Sequence, residues 1–255
     1  MTDETMNAPV TTDDLSALTP QLSIAVPAKT NFHLGRGHEE PSDMEDIEIP
    51  RATLVQYSSE MAQSSNASER IDPGTVINNI TRKPLGEIFI PIFKFINYIR
   101  WNPRKKDDPN FDFAFDPGEL IFLTNDPTDP RVVDGKHFGP NGELPKVTKY
   151  LNFLSYFPGH EYPLILSFSK TSLGSGKKLN SMTLFEGGDM FEHKYKLSVI
   201  QKDNAGTKYF LFDVTPLGKV SPDEFVKAES WYKLYRGLIL DIATKSSLNS
   251  PVWVE

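Results

Sequence analysis

The chain has 255 residues, a formal net charge of −7 and no cysteine. The lack of Cys excludes a disulfide framework and a thiolate metal site. No apolar run approaches the roughly 20 residues that a membrane-spanning helix needs. Because the first residues also lack the basic and apolar regions of a secretory signal, we expect a soluble, cytoplasmic protein.

The negative charge is concentrated in the first fifth of the chain. Residues 1–49 contain ten acidic and two basic residues, whereas residues 50–255 contain 24 acidic and 25 basic residues. The first segment is rich in Pro, Thr and Ser and has no sustained hydrophobic period, so we predict an acidic, largely disordered N-terminal tail. Residues 50–255 are long enough for a single globular domain. Such a domain is close to neutral and therefore need not repel a polyanion.

The first predicted strand lies in residues 49–57 (IPRATLVQY) and is followed by a polar stretch that favours a loop or a weak helix. Residues 86–101, which are rich in Ile, Phe and Tyr, predict two adjacent strands broken or bent near Pro91. Alternation assigns the residues of the second strand to two faces, Phe93, Phe95, Asn97 and Ile99 on one and Lys94, Ile96, Tyr98 and Arg100 on the other. We expect one face to pack on a core and the other to meet solvent.

Residues 107–159 are dominated by Pro, Gly, Asp and Asn, which predicts long loops with short strands. Residues 163–169 (PLILSFS) are typical of a buried strand. The next segment, residues 170–180 (KTSLGSGKKLN), is polar and basic and contains two glycines. It predicts a flexible loop.

A β-hairpin and a helix complete the predicted domain. Residues 193–200 and 208–214 alternate as strands, and residues 202–206 between them have turn chemistry. Ser221, Pro222 and Glu224 supply the N-cap, the first-turn proline and the capping-box glutamate of a helix predicted over residues 221–245. Its apolar residues recur every three or four positions. The fold class is therefore mainly β (α+β), with long loops and a C-terminal amphipathic helix.

The most informative chemical pattern is residues 93–106, FKFINYIRWNPRKK, in which aromatic and cationic residues alternate. Exposed rings offer faces on which unpaired bases stack, and cations contact phosphates. The pattern offers three candidate stacking residues, Phe95, Tyr98 and Trp101, and four phosphate contacts, Arg100, Arg104, Lys105 and Lys106. Phe95 and Tyr98 fall on opposite strand faces and cannot both serve, so Trp101 and the basic turn are preferred. The alternative is structural, because alternating Phe and Ile usually serve a core and basic residues often line an exposed turn.

Two further groups of lysines extend the predicted interface. Lys170, Lys177 and Lys178 lie in the predicted flexible loop, and Lys194 and Lys196 lie on the predicted hairpin with Lys202 and Lys208. If the fold gathers these lysines beside residues 93–106, they form a basic groove. The alternative is that they keep exposed elements soluble.

The sequence gives little support to a catalytic centre, a metal site or a bound cofactor. The five histidines have no recognised ligand spacing. Residues 174–178 (GSGKK) lack the spacing of a phosphate-binding loop. Glu192 and Lys194 resemble the Glu-x-Lys part of a metal-dependent nuclease, with Asp189 close by. A triplet of such common residue types is weak evidence, so we expect no enzyme and keep the nuclease as a minor alternative.

Two resemblances suggest a phage protein. The first half of the domain resembles a family of poorly characterised tailed-phage proteins, at Ile49-Pro50-Arg51, Leu54-Val55-Gln56, Ser59-Glu60, Pro73-Gly74, Asn79, Thr81 and Leu85-Gly86. The later order of basic loop, lysine-bearing hairpin (TKYFLFDV) and helix start (VSPDEFVKA) is similar in outline to phage single-stranded-DNA-binding proteins with an OB-fold. This second resemblance implies an OB-like antiparallel sheet or barrel. Those proteins carry their acidic tail at the C-terminus, whereas this chain has it at the N-terminus.

We therefore expect a phage single-stranded-DNA-binding protein that protects replication or recombination intermediates in the host cell cytoplasm. Its acidic tail would occupy the groove and contact replication or recombination proteins. The main alternative is a virion structural or assembly protein, in which the loops and aromatic residues meet other subunits.

Overall fold

The structure is a computed structural model that describes residues 49–140, 142–204 and 206–245. The predicted acidic tail therefore lies outside the described residues, apart from Ile49. The strands are β1 (Arg51–Leu54), β2 (Val76–Asn78), β3 (Ile88–Trp101), β4 (Leu120–Thr124), β5 (Thr148–Tyr156), β6 (Leu164–Phe168), β7 (His193–Asn204) and β8 (Thr207–Lys219). The helices are α1 (Glu60–Gln63), α2 (Pro130–Gly135), α3 (Leu173–Glu186) and α4 (Pro222–Lys245), with 3₁₀ turns at Lys170–Ser172 and Met190–Glu192.

The eight strands form one open mixed sheet in the order β2-β1-β6-β5-β3-β7-β8, with β4 paired to β3. Strand β1 runs parallel to β6, and the other neighbouring strands are antiparallel. The mainly β prediction with helices is thus confirmed. Neither the strand count nor the strand order identifies an OB barrel.

Strand β3 is continuous, where the sequence predicted two strands. Its pairing with β5 shifts register between Pro91 and Phe93, so the predicted bend is present as a bulge. Proline cannot donate a ladder hydrogen bond, and the bulge accommodates it without ending the strand. Strand β3 uses its other edge twice, pairing with β7 at its start and with β4 at its end. Strand β3, with fourteen residues, therefore links β4 and the β7–β8 hairpin to the rest of the sheet.

The main core lies on the face of the sheet covered by α3 and the β7–β8 hairpin. Rings from two elements meet there, with Phe168 of β6 edge-to-face on Phe212 of β8 at 5.8 Å. The predicted alternation in β3 holds, because Ile96 packs on this core while Phe93 and Phe95 are half-buried and stack on each other. The half-buried rings are therefore on the opposite face of β3.

The predicted flexible loop over residues 170–180 is wrong, because most of it forms the start of α3. A Cβ added at Gly176 would lie 2.6 Å from Cβ of Phe168. Gly176 is thus required for the close approach of α3 to β6, although its low helix propensity suggested a loop. Leu179 and Thr183 continue the buried stripe of the helix.

The predicted hairpin and the predicted C-terminal helix are both present. The hairpin is longer than predicted, because its paired strands reach as far as Asn204 and Thr207. At the start of α4, Glu224 N–H donates to Ser221 Oγ at 3.3 Å and Ser221 N–H donates to Glu224 Oε2 at 2.7 Å, which completes the capping box. Among the helices of the described segments, none is long and apolar enough to cross a membrane.

Candidate nucleic-acid interface

The basic loop that follows β3 is anchored by one buried side chain, Asn102. Its amide group donates to three carbonyl oxygens, those of Asp112 (3.0 Å), Phe115 (2.9 Å) and Asp116 (3.0 Å). Its Oδ1 accepts the backbone N–H of Asp112 at 2.8 Å. Asn102 is 1% exposed, so these bonds are shielded from water. We call residues 102–119 the anchored loop.

The anchored loop presents the predicted basic residues to solvent. Arg104, Lys105 and Lys106 are all exposed. Within the described segments, Lys105 and Lys106 make no ion pair. Arg100, just before the loop, is half-buried and its Nη2 lies 3.6 Å from Asp112 Oδ2. The loop therefore offers positive charge, part of which the Asp112 carboxylate offsets at Arg100.

Two of the three predicted stacking residues of β3, Phe95 and Tyr98, do not share a surface. Tyr98 is 9% exposed and packs in a second core with Phe122 and Val132, so its ring has no free face. Phe95 is half-buried against Phe93 on the opposite face of β3. Trp101 is half-buried at the end of the strand, opposite Leu120 of β4. The rings that are neighbours in the sequence are therefore separated by strand alternation and by packing.

The predicted lysines fall at two opposite ends of the sheet. Lys170, Lys177 and Lys178 lie where β6 ends and α3 begins, and all three are exposed. Lys178 Nζ contacts Asp213 Oδ1 at 3.1 Å. Because β6 is antiparallel to β5 and β5 is antiparallel to β3, β6 and β3 run in the same direction, and their last residues lie at the same end of the sheet. These lysines and the anchored loop thus share one end, which we call the exit end.

Lys194 and Lys196 lie near the start of β3, since Lys196 is paired with Ile88. The length of β3 separates them from the anchored loop by roughly 40 Å, at about 3.3 Å per residue. Both lysines are in ion pairs, Lys194 with Glu224 at 3.1 Å and Lys196 with Glu87 at 3.0 Å. The fold therefore does not gather them with the other basic residues, and they stabilise the far end instead.

The helix cap accounts for the charge state of the carboxylate that binds Lys194. The Ser221 backbone N–H, and to a smaller extent Lys194, hold the pKa of Glu224 below its usual range despite partial burial. Glu224 is thus ionised at neutral pH and belongs to the structure of α4.

At the exit end, a cleft of about 500 Å³ opens between the residues after β1 and the tip of the β7–β8 hairpin. Its lining combines aromatic rings, amides, hydroxyls and two lysines, namely Gln56, Tyr57, Ser58, Lys170, Thr171, Asn204, Thr207, Lys208, Tyr209 and Phe210. We call it the Tyr57 cleft. Its volume lies within the ~300–1,000 Å³ range of small-molecule sites.

Gln56 joins the two walls of the Tyr57 cleft. Its Nε2 donates to the Phe210 carbonyl at 2.9 Å, and its Oε1 accepts the Phe210 N–H at 2.8 Å. The side-chain amide thus makes the two hydrogen bonds that a neighbouring strand would otherwise make with the Phe210 backbone at the outer edge of β8. On the same edge, Ser172 and Ser175 bond to the N–H and the carbonyl of Phe212. These side chains fix β8 against β1 and α3 and satisfy an edge that could otherwise pair with another chain.

The ring of Tyr57 forms an exposed platform. It stacks on Phe210 with ring centres 5.2 Å apart and an angle of 29° between the planes. Behind Phe210 lies Gly74, where an added Cβ would be 3.0 Å from the Phe210 ring. Tyr57 is 44% exposed, so part of its surface remains available. Gly74, Phe210 and Tyr57 are therefore layered, with the accessible ring outermost.

Lysines contribute positive charge to the lining of the cleft. Lys170 and Lys208 line the cleft, and Lys202 lies opposite Tyr209 in the hairpin register. The acidic residue of the hairpin tip is Asp203, whose Oδ1 accepts the Gly206 N–H at 2.9 Å and so belongs to the turn. A planar group stacked on Tyr57 would thus share the cleft with Lys170 and Lys208, an arrangement that suits a base and its phosphate.

A comparison with known protein families identifies the chain as a phage protein. The family model described as Pam3 phage gp34-like protein matches residues 21–238. The chain belongs to this family. The match runs from the predicted acidic tail into α4, so it includes the anchored loop and the Tyr57 cleft. No curated protein and no solved structure matches the chain.

In this member of the gp34-like family, the residues of the nuclease alternative have structural contacts. Glu192 caps the 3₁₀ turn by accepting the Asp189 N–H at 3.0 Å. Glu186 accepts a hydrogen bond from the Tyr195 hydroxyl at 2.5 Å and lies 3.4 Å from His193 Nδ1. Burial, with Glu186 adding to it, raises the pKa of Tyr195 far above its usual range, so the hydroxyl keeps its proton. In the part of the chain that the structure describes, no group of three acidic or His side chains could hold a metal ion.

Tyr57, Phe210 and Gln56 were missed by the sequence-based site prediction. Gln56 and Phe210 are 154 positions apart, so no local pattern relates them. A weak signal existed, because Tyr57 ends a predicted strand and Phe210 lies among the lysines of the predicted hairpin. Only the folding of the hairpin over the sheet brings the two rings together.

Proposed function

We propose that this gp34-like protein is a non-enzymatic single-stranded-DNA-binding protein of a phage, which protects replication or recombination intermediates in the host cytoplasm. The observation that carries the proposal is the Tyr57 cleft. Its exposed Tyr57 ring stacks on Phe210, and Lys170 and Lys208 line the same cleft. Base stacking on an aromatic ring contributes about 1–3 kcal/mol per base and depends little on sequence. Lysine contacts to phosphate add affinity that falls with salt.

The cleft favours unpaired bases over duplex DNA. A base can cover the ring of Tyr57 only when its own face is free, and base pairs within a duplex are stacked on their neighbours. The platform is also fixed before binding by Phe210 and Gln56. Little ordering is then needed when a strand binds, which lowers the entropic cost. The proposal does not require an OB barrel, since it rests on the cleft.

The acidic tail is proposed to compete with DNA for this surface and to contact replication or recombination proteins. Residues 1–49 carry ten acidic residues against two basic ones, and the exit end carries most of the exposed lysines named above. Removal of the tail should strengthen binding, most strongly at low salt where screening is weakest.

The test is a titration of a labelled single-stranded oligonucleotide and its duplex at two salt concentrations. It compares the intact chain with a chain lacking residues 1–48, a boundary that keeps the Pro50 carbonyl in its bond to Ile165. We expect binding of the single strand, weaker at high salt and stronger without the tail. Failure of both proteins to bind at low salt would refute the proposal.

A virion or assembly protein is the second candidate, favoured by exposed apolar side chains on the middle loops. Phe113 is 82% exposed, Phe138 68% and Leu144 72%. Asn110 Nδ2 donates to the Leu144 carbonyl at 3.0 Å and so holds two of these loops together. Large exposed apolar groups often mark protein contacts. Copurification with phage particles, together with indifference to oligonucleotides, would favour this candidate over DNA binding.

A further inference from the structure

Cationic side chains at the exit end of three adjacent strands, β6, β5 and β3, lie in a row that begins at the Tyr57 cleft. Lys170 lines the cleft two residues after the end of β6. Lys149 of β5 is paired with Tyr98 of β3, and Arg100 follows two residues later on the same face of β3. Strands are about 4.8 Å apart, so the row crosses about 10 Å from β6 to β3.

The row lies on the same face of the sheet as the cleft. Lys149 is two residues from Leu151, which faces the core under α3, so alternation places it on that face. Gln56 meets the hairpin that covers this same face. Lys149 is half-buried, and its Nζ lies 5.9 Å from the centre of the Tyr98 ring. Among the described residues it has no carboxylate partner within ion-pair distance. A cation held in this way keeps its charge available to a ligand.

We propose that Lys170, Lys149 and Arg100 form a phosphate track along which a single strand leaves the Tyr57 cleft toward the anchored loop. The proposal rests on the DNA-binding function proposed above and adds the direction of the strand, across the ends of β6, β5 and β3. Asp112 offsets part of the charge of Arg100, so Lys149 is the central contact. Past Arg100 the track reaches Arg104, Lys105 and Lys106, whose positive charge extends it.

The charge of Lys149 is its testable property, because this residue does not line the Tyr57 cleft. Each phosphate contact on a single strand contributes about 0.7 to the slope of log K against log salt. Lys149→Gln should therefore lower the slope for an oligothymidylate of about twelve nucleotides by about 0.7, a length within the site sizes known for single-strand binders. Thymidine monophosphate reaches only the cleft, so its affinity should stay unchanged.

The experiment measures the twelve-nucleotide strand by fluorescence anisotropy over a salt series, and thymidine monophosphate by NMR titration, with full-length protein. Lys149→Arg keeps the charge and should therefore retain the slope of the unaltered chain. A change in slope caused by lost packing would instead appear in Lys149→Gln and Lys149→Arg alike. Lys196→Gln at the far end is the matched control and should leave the slope unchanged.

The possible results separate the track from the function on which it rests. If the unaltered chain binds and Tyr57→Ala weakens binding, but Lys149→Gln leaves the slope unchanged, the track is refuted and the cleft remains. If the unaltered chain binds no oligonucleotide, the proposed function fails and the track fails with it. An equal loss of thymidine monophosphate and oligonucleotide affinity in Lys149→Gln would also refute the track, because it would indicate a distorted cleft.

Discussion

The Tyr57 cleft and the anchored loop are both cationic and both lie at the exit end, but they are built in opposite ways. The loop is local, since one side chain, Asn102, holds residues at most 14 positions away. The cleft joins residues 154 positions apart through Gln56 and Phe210. The loop presents exposed cations, and none of the three rings predicted beside it forms an exposed platform. The cleft instead combines two lysines with a ring that stacks on Phe210.

The difference shows why proximity in the sequence does not reveal the candidate stacking site. Residues 93–106 place rings and cations side by side, but alternation in β3 directs Phe95 and Tyr98 to opposite faces. Tyr98 then joins a core. A stacking site needs a ring with one free face and a rigid backing, and both conditions depend on tertiary contacts. In the proposed function, the loop therefore attracts the strand at long range and the cleft recognises the base.

The largest expected effect is on stability and concerns the loop. Asn102→Asp keeps the oxygen that accepts the Asp112 N–H but removes the donors that serve three carbonyl oxygens. A carboxylate at this buried position, left without the amide donors, should destabilise the protein by about 3 kcal/mol, since each unsatisfied buried group costs about 1–3 kcal/mol. Denaturant unfolding measures this.

The control for that variant is Asn110→Asp. The side-chain amide of Asn110 makes an exposed hydrogen bond, in which Nδ2 donates to a single carbonyl, that of Leu144. It should cost less than 1 kcal/mol. Similar losses in the two variants would contradict the role of Asn102 as the anchor of the loop.

The next effect is on affinity and concerns the cleft. Tyr57→Ala removes the outer ring of the layered platform and should weaken binding of a single strand by about 1–3 kcal/mol, or roughly 5- to 150-fold. Tyr57→Phe keeps the ring and should bind almost as well as the unaltered chain. Anisotropy titration at one low salt concentration measures both.

Phe185→Ala is the matched control for Tyr57→Ala, because Phe185 is an exposed ring near the end of α3, outside both the cleft and the anchored loop. Its loss should leave affinity unchanged. An effect at Phe185 as large as the effect at Tyr57 would contradict the assignment of the stacking site to the cleft.

A smaller effect tests the backing of the platform. Gly74 has φ +90°, and an added Cβ would lie 3.0 Å from Cε1 of Phe210, so Gly74→Ala both strains the backbone and presses on the ring. Gly159 has φ +94° with no atom within 4 Å of an added Cβ, so Gly159→Ala imposes the strain alone. Both variants should lose about 1–2 kcal/mol of stability.

Only Gly74→Ala should also weaken oligonucleotide binding, by a few-fold, because only there does the ring move. Thermal unfolding and anisotropy titration give the two quantities. Equal affinity in the two variants would show that the position of Phe210 does not matter to the platform.

Much of the fold could be predicted from local patterns, and the site could not. Alternation and turn residues predicted the hairpin, and Ser221 with Glu224 predicted the start of α4. The start of α3 was missed because Gly176, a poor helix former, is there for its close contact with Phe168. That contact is tertiary, as is the bond between Gln56 and Phe210. Both would need knowledge of which segments pack together.

The smallest expected effect concerns the cations of the anchored loop. Lys105→Gln combined with Lys106→Gln should reduce the salt slope for a single strand by at most about 1.4, at about 0.7 for each phosphate contact. Lys219→Gln with Lys233→Gln changes the net charge equally but away from both surfaces, and should leave the slope almost unchanged.

The affinity for thymidine monophosphate should be unaffected in both double variants, because the loop lysines do not line the cleft. If the loop variant instead abolished oligonucleotide binding, the loop would dominate recognition and the cleft would be secondary. An equal reduction in both double variants would reduce the role of the loop to its contribution to net charge.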